Sequence, residues 1–94
     1  MIYLVIKNLK IKEDVKANFD TNFEVFLKNL KKQPLNLSAD AIWKDPTNAV
    51  LVERWSTKKA YDDYLASEEF KTNWSKLTSD CINKPLVLKQ TTTN

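Results

Sequence analysis

The chain of 94 residues carries a formal net charge of +3 and contains no His, no Gly and a single Cys, Cys81. The absence of His removes Ser–His and Cys–His nucleophile pairs and His-ligated metal sites, and the absence of Gly removes Gly-rich phosphate-binding loops. No apolar stretch approaches the roughly 20 residues of a membrane-spanning helix, and the basic residues are scattered lysines with a single Arg, which argues against nucleic-acid binding.

The first third of the chain predicts a buried strand followed by a long helix. IYLVIK (2–7) is apolar at both parities, which is typical of a strand covered on both faces. Between residues 13 and 33, apolar side chains recur every three or four residues, so that one stripe of a helix is apolar. That stripe consists of Val15, Phe19, Phe23, Phe26, Leu27 and Leu30. Pro34 is expected to end the helix.

The middle of the chain predicts a β-hairpin. Residues 35–44 (LNLSADAIWK) alternate between apolar and polar side chains, as expected of a half-exposed edge strand. DPTN (45–48) is typical of a tight turn. AVLVERW (49–55) then predicts a second strand whose apolar residues fall on both faces, Val50 and Val52 on one and Leu51 and Trp55 on the other.

The last third predicts a helix broken in two and a final strand. Ser56 is expected to cap a short helix over residues 57–66, and Ser67, which is followed by two Glu, is expected to cap a second helix. PLVLKQ (85–90) predicts the last strand. The terminal TTTN is expected to be a frayed tail.

This order of elements, β-α-β-β-α-β, is the ferredoxin-like α+β arrangement with an antiparallel sheet. No linker divides residues 1–94, so we expect one domain. Such a domain places its helices on one face of the sheet, and a second apolar face then needs another cover. The expected cover is the sheet of a second copy in a homodimer, and the alternative is a monomer with a few exposed valines.

A short motif follows the second strand of the hairpin. It has the form E-x-W at the end of a strand, then S/T-x-x-A-aromatic, then S-x-x-F. In this sequence it consists of Glu53, Trp55, Ser56, Ala60, Tyr61, Ser67 and Phe70. The motif and the order of elements resemble the antibiotic biosynthesis monooxygenase family of dimeric α/β-barrel proteins. The resemblance implies a homodimer of face-to-face sheets, a pocket between sheet and helices, and oxidation of phenols or quinols by molecular oxygen without a metal or organic cofactor.

The same superfamily includes a haem-degrading branch, which the resemblance allows us to compare. That branch uses an Asn, a Trp and an iron-ligating His at positions that match Asn8, Tyr64 and Trp74 of this chain. Only the Asn is retained. An indole does not ligate iron, so we expect no haem. With no His, one Cys and no Gly-rich loop, the chain has few means of holding a metal or a cofactor, and we expect neither. The cofactor-free branch often has a His in the segment where this chain has Tyr64.

The resemblance also implies candidate site residues. Asn8 and Tyr64 are expected to be catalytic, because both could hydrogen-bond the oxygen of a small aromatic substrate. Asn8 lies on the same face of the first strand as Ile2, Leu4 and Ile6. It is expected on the helix side of the sheet, unless it is a turn residue. Tyr61, Phe70 and Trp74 are expected to line the substrate pocket, unless they are core residues.

Two functions follow from these expectations. One is a cofactor-independent monooxygenase that acts on a phenolic or quinol-like small molecule. The other is a non-catalytic dimeric module of the same fold that binds a small ligand. Glu53 and Arg54 are expected in structural ion pairs or hydrogen bonds rather than in catalysis, because a buried charge needs a partner. With one Cys and no recognisable export signal, a cytoplasmic location is expected.

Overall fold

Four strands and three α-helices make up the computed structural model, which describes residues 1–93. The strands are β1 (Tyr3–Lys10), β2 (Asn36–Asp45), β3 (Asn48–Trp55) and β4 (Leu86–Thr91), and the helices are α1 (Lys16–Lys31), α2 (Lys58–Leu65) and α3 (Glu68–Ser79). All strand pairs are antiparallel, in the order β2-β3-β1-β4. The predicted ferredoxin-like α+β fold, with the second helix broken in two, is confirmed.

Helix α1 lies across the sheet through the predicted apolar stripe. Phe19, Phe23, Phe26 and Leu30 are all buried, at spacings of four, three and four residues. The helix begins later than the predicted residue 13, because Glu13–Val15 form a 3-10 turn and Lys12 provides no side-chain cap. It ends at Lys31, three residues before Pro34, whose ring restricts the residue before it to extended backbone.

The two central strands, β1 and β3, have two different faces. Residues of odd number in both strands are buried beneath the helices, among them Val5, Leu51 and Trp55. Residues of even number form the opposite face, which we call the outer face. Asn8, Arg54 and Asp40 lie on this face, whose apolar part consists of Leu4, Ile6, Val50 and Val52, with Ile42, Leu86 and Leu88 from the edge strands. Ile42, Leu86 and Leu88 are 55%, 74% and 52% exposed, so nothing in residues 1–93 covers these side chains of the outer face.

Three local expectations change. Thr57, not Ser56, caps α2, because its side chain accepts a hydrogen bond from the Ala60 N–H. In β2, which is an edge strand as predicted, a register shift between Asn36 and Ser38 interrupts the alternation and leaves Leu37 53% exposed. The expected tail is partly ordered, since Thr91 belongs to β4 and the N–H of Thr92 bonds the Ile2 carbonyl, while Asn94 lies outside the described residues. No helix within residues 1–93 has the length and apolar character needed to cross a bilayer.

Candidate active site

A buried ion pair lies on the helix-facing side of the sheet. Lys7 of β1 and Glu53 of β3 are on the same face because Lys7 pairs with Leu51, two residues before Glu53. Their Nζ and Oε2 atoms are 2.8 Å apart, and the side chains are only 1% and 0% exposed. The indole N–H of Trp55 donates a hydrogen bond of 3.0 Å to the other oxygen of Glu53. Glu53 is therefore held from two sides, in the structural ion pair expected for it.

Four aromatic rings surround the ammonium group of Lys7, and we call them the aromatic box. Its members are Phe26 of α1, Tyr61 of α2, and Phe70 and Trp74 of α3. Their ring centroids lie 5.0 to 5.4 Å from Nζ, within the range of cation–π attraction. Burial lowers the pKa of Lys7 from its ordinary value, and the neighbouring Glu53 carboxylate opposes that shift. Among residues 1–93, Glu53 is the one acidic partner that Lys7 contacts.

A cavity of about 220 Å³ opens beside the aromatic box. Its lining consists of Lys7, Tyr61, Leu65, Phe70, Trp74, Val87 and Lys89. The ammonium of Lys89, on β4, lies 5.5 Å from the centroid of the Tyr61 ring. Lys89 is exposed, and no carboxylate of residues 1–93 lies within 4.0 Å of its Nζ. The cavity therefore combines apolar rings with one uncompensated positive charge at its open side.

The three residues predicted to form a substrate pocket come together in this cavity. Tyr61 comes from α2, whereas Phe70 and Trp74 come from α3 and stack with centroids 5.9 Å apart. Their contact with a substrate stays a prediction. Burial raises the pKa of the Tyr61 phenol, and the charge of Glu53 adds to the effect, so this hydroxyl remains protonated near neutral pH.

Tyr64 lies one helical turn further along and faces a different cavity. Its ring packs against Trp55 and Phe70, with centroids 5.5 and 5.0 Å away. It lines a second cavity, of about 240 Å³, together with Pro34 and Leu35. Its hydroxyl is buried without a hydrogen-bond partner among residues 1–93. Burial raises the pKa of Tyr64, and Glu53 contributes to the shift, so this hydroxyl is a weaker acid than a free phenol and stays protonated near neutral pH.

The expectation that Asn8 faces the helices is wrong. The strand alternates, and Lys7 occupies the helix-facing side, so Asn8 lies on the outer face between Val50 and Leu86. Asn8 and Tyr64 are thus on opposite sides of the sheet within one chain. The predicted catalytic pair is not brought together, and a joint role for the two in one pocket has no geometric support here.

Sequence reasoning missed Lys7 and Lys89. The available signal was Lys7 itself, the one charged residue in an otherwise apolar strand, IYLVIK. Glu53 has the equivalent position in β3, and two opposite charges at buried positions of central strands are expected to pair. The position of Lys89 gave no such signal, because every residue of β4 is exposed. In residues 1–93, no three His, Cys, Asp or Glu side chains are arranged to hold a metal ion.

Comparisons with known proteins agree with this architecture. Residues 2–73 match the sequence model of the family described as antibiotic biosynthesis monooxygenase. No curated protein sequence matches the chain. A crystal structure of an antibiotic biosynthesis monooxygenase superposes with a TM-score of 0.90 at 22% identity and covers 100% of both chains. Rv0793 from Mycobacterium tuberculosis gives a TM-score of 0.89 at 15% identity and covers 100% of this chain and 97% of that one.

A third solved structure has a described activity. SnoaB from Streptomyces nogalater, described as a cofactor-independent oxygenase, superposes with a TM-score of 0.87 at 14% identity. The match covers 99% of this chain and 94% of SnoaB. At identities this low, the three superpositions establish a common fold.

Proposed function

The chain belongs to the antibiotic biosynthesis monooxygenase family, and from this membership we propose that it oxidises a small phenolic or quinol-like molecule with molecular oxygen, without a cofactor. The observation that carries the proposal is the cavity in which Tyr61, Phe70 and Trp74 meet the uncompensated ammonium of Lys89. A planar aromatic ring fits against such rings, and a positive charge favours the anion that reacts with oxygen.

The proposed reaction is balanced with a phenol that has a free para position. The phenol loses its proton to solvent at the open side of the cavity, and the phenolate transfers one electron to O₂. The resulting phenoxyl radical and superoxide combine at the para carbon, and the peroxide takes up a proton. Loss of water from this hydroperoxide, with loss of the para C–H proton, leaves a para-quinone. One oxygen atom of O₂ enters the product and the other becomes water.

The residues of the cavity have separate proposed roles. Glu53 neutralises Lys7 at 2.8 Å, so Lys89 is the charge left to contact the phenolate oxygen. The side chains of Tyr61, Phe70 and Trp74 hold the substrate ring and exclude water around the reacting carbon. The Lys7–Glu53 pair anchors the aromatic box from below. Asn8 has no part in this proposal, because it lies on the outer face.

The family resemblance also supports a homodimer, which we propose to form through the outer face. Leu86 and Leu88 are 74% and 52% exposed in the single chain, and Leu4, Ile6, Val50 and Val52 of the central strands lie on the same face. A second copy on this face would bury these side chains, while the cavity beside the aromatic box lies on the other side of the sheet. Each subunit would then keep its own cavity.

Binding without turnover is the second candidate function. It is favoured by Tyr61, since burial raises the pKa of this phenol and leaves the cavity beside the aromatic box without a phenolate base near neutral pH. In that case the cavity would hold a small aromatic anion through Lys89. The two candidates differ in whether oxygen is consumed.

The test is oxygen uptake with a panel of phenols and quinols, corrected for autoxidation, with ¹⁸O₂ to follow the oxygen atom into the quinone. Lys89→Gln is expected to lower kcat by at least about tenfold, less than a buried oxyanion donor because Lys89 is exposed. Lys76→Gln is the matched control, because Lys76 is exposed on α3 and does not line the cavity. Saturable binding without oxygen uptake by the wild type would favour the binding module. Equal rates for Lys89→Gln and wild type would contradict the role of Lys89.

A further inference from the structure

The buried ammonium of Lys7 has surroundings that its role in anchoring the aromatic box does not require. Lys7 is the one lysine buried within residues 1–93, and its side chain is 1% exposed. An ammonium group carries three N–H donors. Its ionic partner is Glu53, and the four rings of the aromatic box lie around the same group. A positive charge is therefore held at the wall of the cavity with little water to screen it.

The order of the strands places Glu53 and the cavity on opposite sides of Lys7. Strand β1 lies between β3 and β4 in the sheet. Glu53 belongs to β3, whereas Val87 of β4 pairs directly with Lys7 and lines the cavity. The ion pair is thus a dipole whose positive end faces the cavity.

A small anion that contacts Lys7 from the cavity side is attracted despite the charge of Glu53. If such an anion lies about 3 Å from Nζ and in line with the pair, the carboxylate is 2.8 Å further away. Coulomb's law then leaves about half of the attraction of a lone ammonium. For a bulky anion at the open side of the cavity, the distances to the two charges become similar and the attraction almost cancels. The geometry therefore favours a small anion in contact with the ammonium.

Superoxide is an anion of this size, and it forms in the oxidation proposed above. One electron passes from the phenolate to O₂, so the phenolate is oxidised, O₂ is reduced and negative charge appears on a molecule that was neutral. A preorganised cation at the place where charge develops lowers the barrier. Resting on the proposed function, we propose that Lys7 is a further catalytic residue, whose ammonium contacts O₂ in the cavity and stabilises the superoxide. Lys7 keeps its proton and Glu53 stays ionised throughout this step.

The first test measures the oxygen kinetics of a paired variant, in which Lys7→Met is combined with Glu53→Gln. It leaves no unpaired buried charge and is expected to fold. We would measure kcat/KM for O₂ at a saturating concentration of the phenol that the wild type oxidises fastest. The Kd for that phenol is measured without oxygen by tryptophan fluorescence, since Trp74 lines the cavity. We expect kcat/KM for O₂ to fall by at least about tenfold, while Kd stays almost unchanged.

The matched control combines Lys28→Met with Glu24→Gln. It makes the same chemical changes at an exposed pair on α1 that does not line the cavity, and it is expected to keep the wild-type kcat/KM for O₂. If the paired variant also kept that value, the role of Lys7 would be overturned and the proposed function would stand. A loss that follows entirely from a higher Kd for the phenol would show that the pair only positions the rings, and would overturn the role as well. No oxygen uptake by the wild type would overturn the proposed function and this inference with it.

A second test uses the wild type alone, so it does not depend on whether the paired variant folds. Azide is a small linear anion with a single charge, and it can contact an ammonium group as superoxide would. With the concentrations of O₂ and the phenol varied in turn, azide is expected to inhibit competitively against O₂ and not against the phenol. Competition with the phenol alone, or no inhibition, would overturn the contact between Lys7 and O₂.

Discussion

Replacing Lys7 with Met is the sharpest test of the buried ion pair. The variant keeps an unbranched side chain of similar length among the rings of the aromatic box but removes the ammonium. Glu53 is 0% exposed and would retain the Trp55 N–H as its one partner, 3.0 Å from Oε1. Removing one partner of a buried pair typically costs about 3–5 kcal/mol, because the remaining charge is left desolvated. That is a large share of the roughly 5–15 kcal/mol by which small domains are stable.

The second variant of this test restores the balance of charge. Lys7→Met combined with Glu53→Gln leaves no unpaired charge, and the amide oxygen that replaces the carboxylate still accepts from Trp55. The free energy of unfolding of the double variant is expected to recover most of the loss, as replacing both partners of a buried pair is often close to neutral. The coupling between the two changes is read from a double-mutant cycle.

The assay is urea denaturation at pH 7, with the slope of the unfolding free energy against urea checked for constancy. Arg54→Met is the matched control, because Arg54 and Asp40 form a longer, exposed pair of 3.7 Å on the outer side of β3. Exposed pairs contribute about 0–1 kcal/mol. If Lys7→Met were no more destabilising than Arg54→Met, or if the double variant were less stable than Lys7→Met alone, the description of a desolvated pair would be wrong.

Two further predictions concern the outer face and the tyrosines. Wild-type protein at about 50 µM is expected to have the mass of a dimer by light scattering on a sizing column. Val52→Asp is expected to have the mass of a monomer, because an unpaired charge is costly to bury in an apolar interface. A wild-type monomer, or a Val52→Asp dimer, would contradict the outer face as the interface. The pKa values of Tyr61 and Tyr64 are raised above the ordinary 10.0. Burying these phenols in the neutral form therefore contributes its full share to the stability of the folded protein below pH 10, and this contribution is lost as the pH rises above 10. The urea midpoint is expected to fall above pH 10, and less steeply in Tyr64→Phe; an unchanged slope in that variant would count against its raised pKa.

Much of the architecture follows from the sequence, since it depends on local periodicity. Apolar residues every three or four positions place Phe19, Phe23 and Phe26 on one side of a helix, and strict alternation separates Val50 and Val52 from Leu51 and Trp55. The break between α2 and α3 follows from a second capping residue, Ser67, whose side chain accepts from the Phe70 N–H. These signals involve residues near one another in the chain.

The choice of face for each strand was decided by tertiary packing. Both faces of β1 are apolar, so its sequence alone did not indicate which one the helices would cover, and the expectation for Asn8 was wrong for that reason. Likewise, Lys7 and Glu53 are separated by more than forty residues in sequence, and only the β1–β3 register brings them within 2.8 Å. Tyr61 and Tyr64 lie on one helix, yet the packing of α2 directs them to different cavities. The periodicity of the chain determined which residues share a face, whereas contacts between distant segments decided what each face meets.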